Sequence, residues 1–232
     1  MLIIFDLDGT LINTIDDLGQ ACNHALSACG YPTHKIEDYP RLVGNGINRL
    51  IERALPEEYR NEATVLRLRE YFVPYYDAHN CDLTRPYDGI PALLQALKAQ
   101  GYVLAVASNK YQAATEKIVA QLFPDTFDVV LGERDGVARK PDPQIVYDIW
   151  SDKSDGSDKS DRSDRSDESE TLYIGDSLVD AETAQAAGVK LVLCTWGFCT
   201  EEQLATANPD YMVHHPAEIL PIVEQIDVQA GK

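Results

Sequence analysis

Short apolar runs alternate along this chain with longer stretches whose apolar residues recur every three to four positions. Leu2-Ile3-Ile4-Phe5 has the length and composition of a buried parallel strand, and it ends abruptly in Asp6 and Asp8. From Thr14 to about Cys29, Ile15, Leu18, Ala21, Cys22, Ala25, Leu26 and Cys29 recur at helical spacing, and Gly30 and Pro32 end that helix. Onward to about Arg85 the pattern is almost entirely helical. One stripe runs through Leu50, Ile51, Ala54 and Leu55, and another through Val65, Leu66, Leu68, Tyr71, Phe72 and Tyr75. This stretch predicts a small helical module inserted after the first strand.

The pattern changes at Pro86. Asp88-Gly89-Ile90-Pro91 opens a helix that Gly101 stops, and further strands are predicted at Tyr102–Ala107, Phe127–Leu131, Leu172–Ile174, Lys190–Leu193 and Tyr211–Val213. Between and after them lie predicted helices at Tyr111–Leu122, from near Pro143, at Val179–Ala187 and at Pro216–Val228. Strands alternating with helices predict an α/β fold with a doubly wound, Rossmann-like parallel sheet covered on both faces. The expected division is a core of residues 1–13 and 86–232 with a helical cap of residues 14–85. In such sheets ligands bind beyond the carboxyl ends of the strands.

Residues Ser151–Glu170 break this logic, because they form a near-perfect three-residue repeat of Ser and Asp with no apolar position. A period of three matches neither strand nor amphipathic helix, and Ser and Asp prefer caps and turns. The expectation is a solvated tandem insert that lengthens a connection. A calcium-binding array would need Gly and a bidentate acid at fixed spacing, which the repeat lacks.

The 232 residues suffice for one large domain, or a core plus a smaller module, and 44% of them are hydrophobic. A formal net charge of −18 argues against a nucleic-acid or anionic-membrane partner. No run approaches the roughly 20 apolar residues of a membrane helix, and no basic region or cleavage site suggests a signal peptide. Cys22, Cys29, Cys81, Cys194 and Cys199 are odd in number and scattered, as expected of reduced thiols in a cytoplasm.

Candidate chemistry gathers where the predicted strands end. Asp6 and Asp8 are two apart, so on an extended chain they face one spot, and Gly9 and Thr10 turn the backbone there. Two carboxylates held together need a cation or a shared proton, and a hard, oxygen-liganded metal such as Mg²⁺ is expected. The second strand ends in Ser108-Asn109-Lys110, which can bind a phosphate oxygen and equally reads as a helix cap. Lys140, in Arg139-Lys140-Pro141-Asp142-Pro143, carries an ammonium suited to a phosphate or to crowded carboxylates. Gly175-Asp176-Ser177-Leu178-Val179-Asp180 places two acids one helical turn apart.

Asp6-Leu7-Asp8-Gly9-Thr10, Ser108, Lys140-Pro141 and Gly-Asp-Ser-x-x-Asp at 175–180 resemble, in order and type, the four motifs of the haloacid dehalogenase-like hydrolases. That resemblance implies that Asp6 is a nucleophile forming an aspartyl-phosphate and Asp8 a general acid/base. It further implies that Ser108 binds the phosphoryl group, Lys140 stabilises the intermediate and Asp176 ligates Mg²⁺. Asp180 would hold Lys140 or a metal-bound water, and the main-chain carbonyl of Asp8 would complete the metal ligands.

Residues 14–85 stand where capped members of the family insert a lid. Within them, Val43-Gly44-Asn45-Gly46 followed by Leu50-Ile51-Glu52-Arg53-Ala54-Leu55 resembles the cap loop of phosphoglycolate phosphatases, as does the run Ser108–Lys110. Substrate contacts are accordingly expected from Thr10, Gly44, Asn45, Gly46, Asn109 and Lys110. Asn13 stands where many relatives have Asp, outside the reacting set. His214 and His215 lack partners at zinc-ligand spacing. The expected protein is a cytoplasmic Mg²⁺-dependent phosphatase of a small phosphorylated substrate, a monomer or weak homodimer. A sugar phosphomutase, another small-molecule phosphatase or pyrophosphatase, and a catalytically silent binding protein are the alternatives.

Overall fold

The first apolar run is strand β1 (Leu2–Phe5), with all four side chains buried, in the computed structural model, which describes residues 1–44, 46–154 and 171–229. The chain divides into two compact units, one of Met1–Leu11 with Pro86–Lys232, the other Ile12–Arg85. Two-residue strands β2 (Ile12–Asn13) and, on the chain's return, β3 (Arg85–Pro86) pair with each other. They are too short to leave a period in the sequence, and no strand is expected there.

The inserted unit is helical. Asn13 Oδ1 accepts the Ile15 N–H (3.1 Å) where α1 (Ile15–Ala28) starts. Then come α2 (Ile47–Ala54) and α3 (Glu62–His79), whose first turn is capped by Asn61. The expected stripes of α1 (Leu18, Cys22, Leu26) and α2 (Leu50, Ile51, Ala54) point inward, whereas α3 buries Val65, Leu68, Phe72 and the unexpected Tyr76 and leaves Leu66 and Tyr71 of its expected stripe exposed. Arg53 Nη1 donates to the carbonyls of Leu42, Val43 and Gly44 (3.0–3.2 Å), so α2 holds the loop that precedes it. Asp17, 2% exposed, ties α1 to the end of the unit. Its carboxylate accepts the Leu83 N–H (3.1 Å), the Thr84 N–H (2.8 Å) and the Thr84 hydroxyl (2.7 Å).

The core unit continues with α4 (Ile90–Ala99), β4 (Val103–Tyr111), α5 (Gln112–Leu122), β5 (Val129–Glu133) and α6 (Gln144–Ser154). It ends with β6 (Thr171–Gly175), α7 (Leu178–Ala187), β7 (Lys190–Cys194), α8 (Glu201–Ala205), β8 (Tyr211–Val213) and α9 (Ile219–Gln229). The strands form one six-stranded sheet in the order β5-β4-β1-β6-β7-β8, parallel throughout, with β1 between β4 and β6. Leu2, Ile4, Ala105 and Tyr173 on one face pack with Val146 and Ile149 of α6 and Ala181 and Ala184 of α7. The alternating residues Ile3, Phe5, Leu104 and Val106 face the other way and are fully buried too. A near-continuous apolar run is the sequence trace of this two-sided burial.

Of the boundaries that differ from those expected, three are the largest or bear on the site. β4 runs past Ala107 to Tyr111 with a shift in register, so Ser108-Asn109-Lys110 lies within its irregular end. β5 begins at Val129 rather than Phe127, because Phe127 turns its ring onto Phe5 and Phe123 (centroids 6.3 and 5.9 Å). Ser151–Ser154 complete α6, begun by the buried Ile145, Val146 and Ile149, and the Ser151 hydroxyl donates back to the Tyr147 carbonyl (3.0 Å). Residues 155–170 of the repeat lie outside the described residues.

The Asp17 tie makes a specific prediction. Asp17→Ala strands two backbone N–H groups and a hydroxyl, and should destabilise the helical unit by about 3 kcal/mol. Urea denaturation followed by far-ultraviolet circular dichroism checks this, and Asp17→Asn should lose less.

Candidate active site

The parallel register brings three strand ends together. Phe5 pairs with Val106 of β4 and with Ile174 of β6, and the Asp6 N–H donates to the Ile174 carbonyl (2.9 Å). The residues just beyond, Asp6, Ser108 and Asp176, therefore leave the sheet at the same edge.

Lys140 reaches that edge from the segment between β5 and α6. The Asn109 side chain holds its backbone at two points, donating to the Lys140 carbonyl and accepting its N–H, both at 3.0 Å. The Lys140 ammonium, 5% exposed as a residue, donates to Asp6 Oδ1 (2.7 Å), Asp180 Oδ1 (2.8 Å) and the Ala107 carbonyl (2.8 Å). The Tyr173 hydroxyl stands 3.1 Å from Nζ and donates in turn to Asp180 Oδ1 (3.3 Å). The other Asp180 oxygen accepts the Ser177 hydroxyl (2.6 Å) and the Ser177 and Asp176 N–H groups (3.1 and 3.3 Å), closing a capping box at the start of α7. Both Asp180 oxygens are thus occupied by protein donors.

Asp176, 1% exposed, accepts the Thr10 hydroxyl on Oδ1 (3.0 Å) and the Phe198 N–H on Oδ2 (2.8 Å). Gly9 and Gly197 crowd this carboxylate, since a Cβ on either would come within 2.2 Å of Asp176 Oδ2. Gly9 also has φ +91°, a second reason for glycine there. Asp6, Asp176 and Asp180 each offer an oxygen within 4.8 Å of the others. An all-oxygen, carboxylate-only donor set, with Asp180 already committed to Lys140 and Ser177, fits a hard cation held by Asp6 and Asp176.

The electrostatics follow from burial. Desolvation, with the Asp180 charge adding to it, pushes the Asp6 carboxyl up to about 7 although Lys140 opposes the shift. Desolvation and the charges of Asp180 and Asp6 likewise hold Asp176 well above the usual carboxylate range. Burial alone would lower the Lys140 ammonium, but Asp180 and Asp6 more than offset it, so Lys140 stays charged. Desolvation also raises the Tyr173 phenol, which remains a neutral donor.

Asp8 turns elsewhere. Its Oδ2 lies 3.0 Å from Lys110 Nζ, while its Oδ1 is buried with no hydrogen-bond partner among the described residues. The Ser108 hydroxyl accepts the Lys110 N–H (3.1 Å). Asn109 and Thr10, expected to meet substrate, use their side chains to hold Lys140 and Asp176. Gly44 and Gly46 belong to the helical unit, and Asn45 lies outside the described residues. Sequence reasoning passed over Tyr173, which reads as one more apolar strand residue, and Trp196-Gly197-Phe198, which fall outside every motif. An aromatic pair around a glycine just past a strand end was the available signal. His214 and His215 serve locally, His214 Nδ1 meeting the Thr195 hydroxyl (2.9 Å) and His215 Nδ1 accepting the Ala217 N–H (3.1 Å).

A family model described as haloacid dehalogenase-like hydrolase matches residues 3–194. A phosphoglycolate phosphatase of Haemophilus influenzae is 32% identical over 229 residues, spanning 96% of this chain and 97% of its own. One of Aquifex aeolicus is 29% identical over 224 residues, spanning 96% of both chains. The crystal structure of a predicted phosphoglycolate phosphatase from Haemophilus somnus superposes with a TM-score of 0.82 at 30% identity, covering 95% of this chain and 96% of that one.

The raised Asp6 carboxyl has a consequence for stability. The folded chain keeps its proton up to about pH 7 and the unfolded chain releases it near 3.8, so metal-free stability falls as pH rises through that window. Asn stays neutral, and Lys140 retains Asp180 and the Ala107 carbonyl. Metal-free Asp6→Asn should therefore melt several degrees above the parent at pH 8, the difference vanishing near pH 4. Thermal melts in EDTA check this; a variant that melts lower at pH 8 contradicts it.

Proposed function

The chain belongs to the haloacid dehalogenase-like hydrolases and is a phosphoric monoester hydrolase, and on that premise we propose that it hydrolyses 2-phosphoglycolate with Mg²⁺, through an aspartyl-phosphate on Asp6. The observation that carries this reading is the pairing of roles at β1. The Asp6 carboxylate is gripped by the Lys140 ammonium at 2.7 Å, while a buried Asp8 oxygen two residues on has no partner among the described residues.

In this reading an Asp6 oxygen attacks phosphorus, and the bond from phosphorus to the substrate's alkoxide oxygen breaks. Asp8 gives its proton to that oxygen, then takes one from the water that splits the acyl phosphate and restores Asp6. Ser108 and the Asn109 N–H bind phosphoryl oxygens, and Lys140 neutralises charge between Asp6 and the phosphoryl group. Asp6, Asp176 and the Asp8 main-chain carbonyl would hold Mg²⁺. When bound, it lets an anionic nucleophile and an anionic phosphate approach by offsetting their charges. In this reading Lys110, 3.0 Å from Asp8 Oδ2, orients the Asp8 carboxyl for both proton transfers.

In this reading the helical unit chooses the substrate, its Val43–Gly46 sequence resembling the cap loop of phosphoglycolate phosphatases. The relatives at about 30% identity that carry that activity by name support the assignment.

Phosphate release should be measured over small phosphomonoesters with and without Mg²⁺. 2-Phosphoglycolate should lead, and EDTA should abolish turnover. Asp6→Asn should lower it by at least about a thousandfold, as loss of a nucleophile does. Full activity of Asp6→Asn would sink the nucleophile assignment. A preference for a sugar phosphate, without net phosphate release, would favour a mutase.

A further inference from the structure

The segment after β7 takes no part in the chemistry above, yet it closes a ring around Asp176. The Phe198 N–H donates to Asp176 Oδ2 (2.8 Å). Two residues earlier, the Trp196 indole N–H donates to the main-chain carbonyl of Thr10 (3.0 Å), and the Thr10 hydroxyl donates to Asp176 Oδ1 (3.0 Å). Gly197, between them, lies flat on the carboxylate, where a Cβ would come 2.2 Å from Oδ2.

Asp176 depends on this ring because, among the described residues, no protein cation pairs with it. The Lys140 ammonium spends its contacts on Asp6, Asp180, the Ala107 carbonyl and Tyr173. Among the described residues, the donors to the Asp176 carboxylate are the Thr10 hydroxyl and the Phe198 N–H. Each takes one of the roughly two lone-pair directions of its oxygen, leaving one free and fixed on each. A carboxylate pinned in this way is already set in the orientation a metal needs.

We infer that Trp196 and Gly197 are positioning residues for a divalent cation at Asp6 and Asp176, the indole locking the 195–199 segment to Thr10 so that both donors stay on Asp176. The inference rests on the proposed metal site. Outer partners of this kind typically set metal affinity by about 10–100-fold.

The test is calorimetric titration of MgCl2 into the full chain after removal of metal. Trp196→Phe keeps the ring and loses the N–H; Gly197→Ala forces Asp176 aside and carries the test if Trp196→Phe does not fold. Trp150→Phe is the control, since Trp150 Nε1 makes a bond of the same kind to Thr171 Oγ1 (3.1 Å) at the start of β6. Trp196→Phe should bind Mg²⁺ about 10–100-fold more weakly. Its Mg²⁺ activation constant should rise in step, with kcat at saturating Mg²⁺ retained. Trp150→Phe should match the parent, with metal-free melting alike in the two variants. Parent-like affinity in Trp196→Phe, or equal weakening in Trp150→Phe, overturns the strap alone. A parent chain that binds no Mg²⁺ overturns the metal site and the strap together.

Discussion

Asp6, Asp176 and Asp180 bring an oxygen each within 4.8 Å of one another where water is largely excluded, and among the described residues a single ammonium, that of Lys140, stands with them. Left alone, such a cluster would protonate or come apart, since buried like charges are costly and one cation cannot offset three. Much of the core unit can be understood as the means of holding it. Asn109 fixes the Lys140 backbone, Tyr173 and the Ala107 carbonyl fix its ammonium, and the first turn of α7 occupies the second Asp180 oxygen. The unmet charge is concentrated on Asp6 and Asp176, which is where a hard cation fits.

The sheet makes this cluster affordable. Six parallel strands buried on both faces give a rigid platform, and the register of β1 between β4 and β6 aligns the ends of all three. The acids sit just past those ends, where the ladder stops and turns can supply N–H donors. Two glycines let the backbone press against Asp176 from the turn after β1 and from the segment after β7. The restraint on the site is therefore distributed over residues far apart in sequence, none of them acidic.

Legibility followed the range of the interactions. β1 was plain from an unbroken apolar run, and α1 and α3 from their apolar spacing, because burial on a regular element leaves a periodic trace. Asp6, Asp8, Lys140 and Asp176 stood out because their residue types, order and local sequence together resemble the motifs of a known family. Phe127 misled, as a ring that joins Phe5 and Phe123 reads like the start of a strand. The first residues of the Ser-Asp repeat also misled, for a helix already nucleated extends through poor formers. Asn109 and Thr10 were identified as residues of the site, but what they touch could not be read.

By itself, then, the sequence determined the α/β alternation, the inserted helical unit and the kinds of groups at each strand end, all of which are local or periodic properties. Tertiary structure alone decided that Asp180 gives an oxygen to Lys140, that Tyr173 reaches from the core to the ammonium, and that Trp196 closes a ring on Asp176 through Thr10. Those outcomes depend on contacts between residues 33 to 186 positions apart, from the Lys140–Tyr173 to the Trp196–Thr10 bond. Only the register of the folded sheet sets such distances.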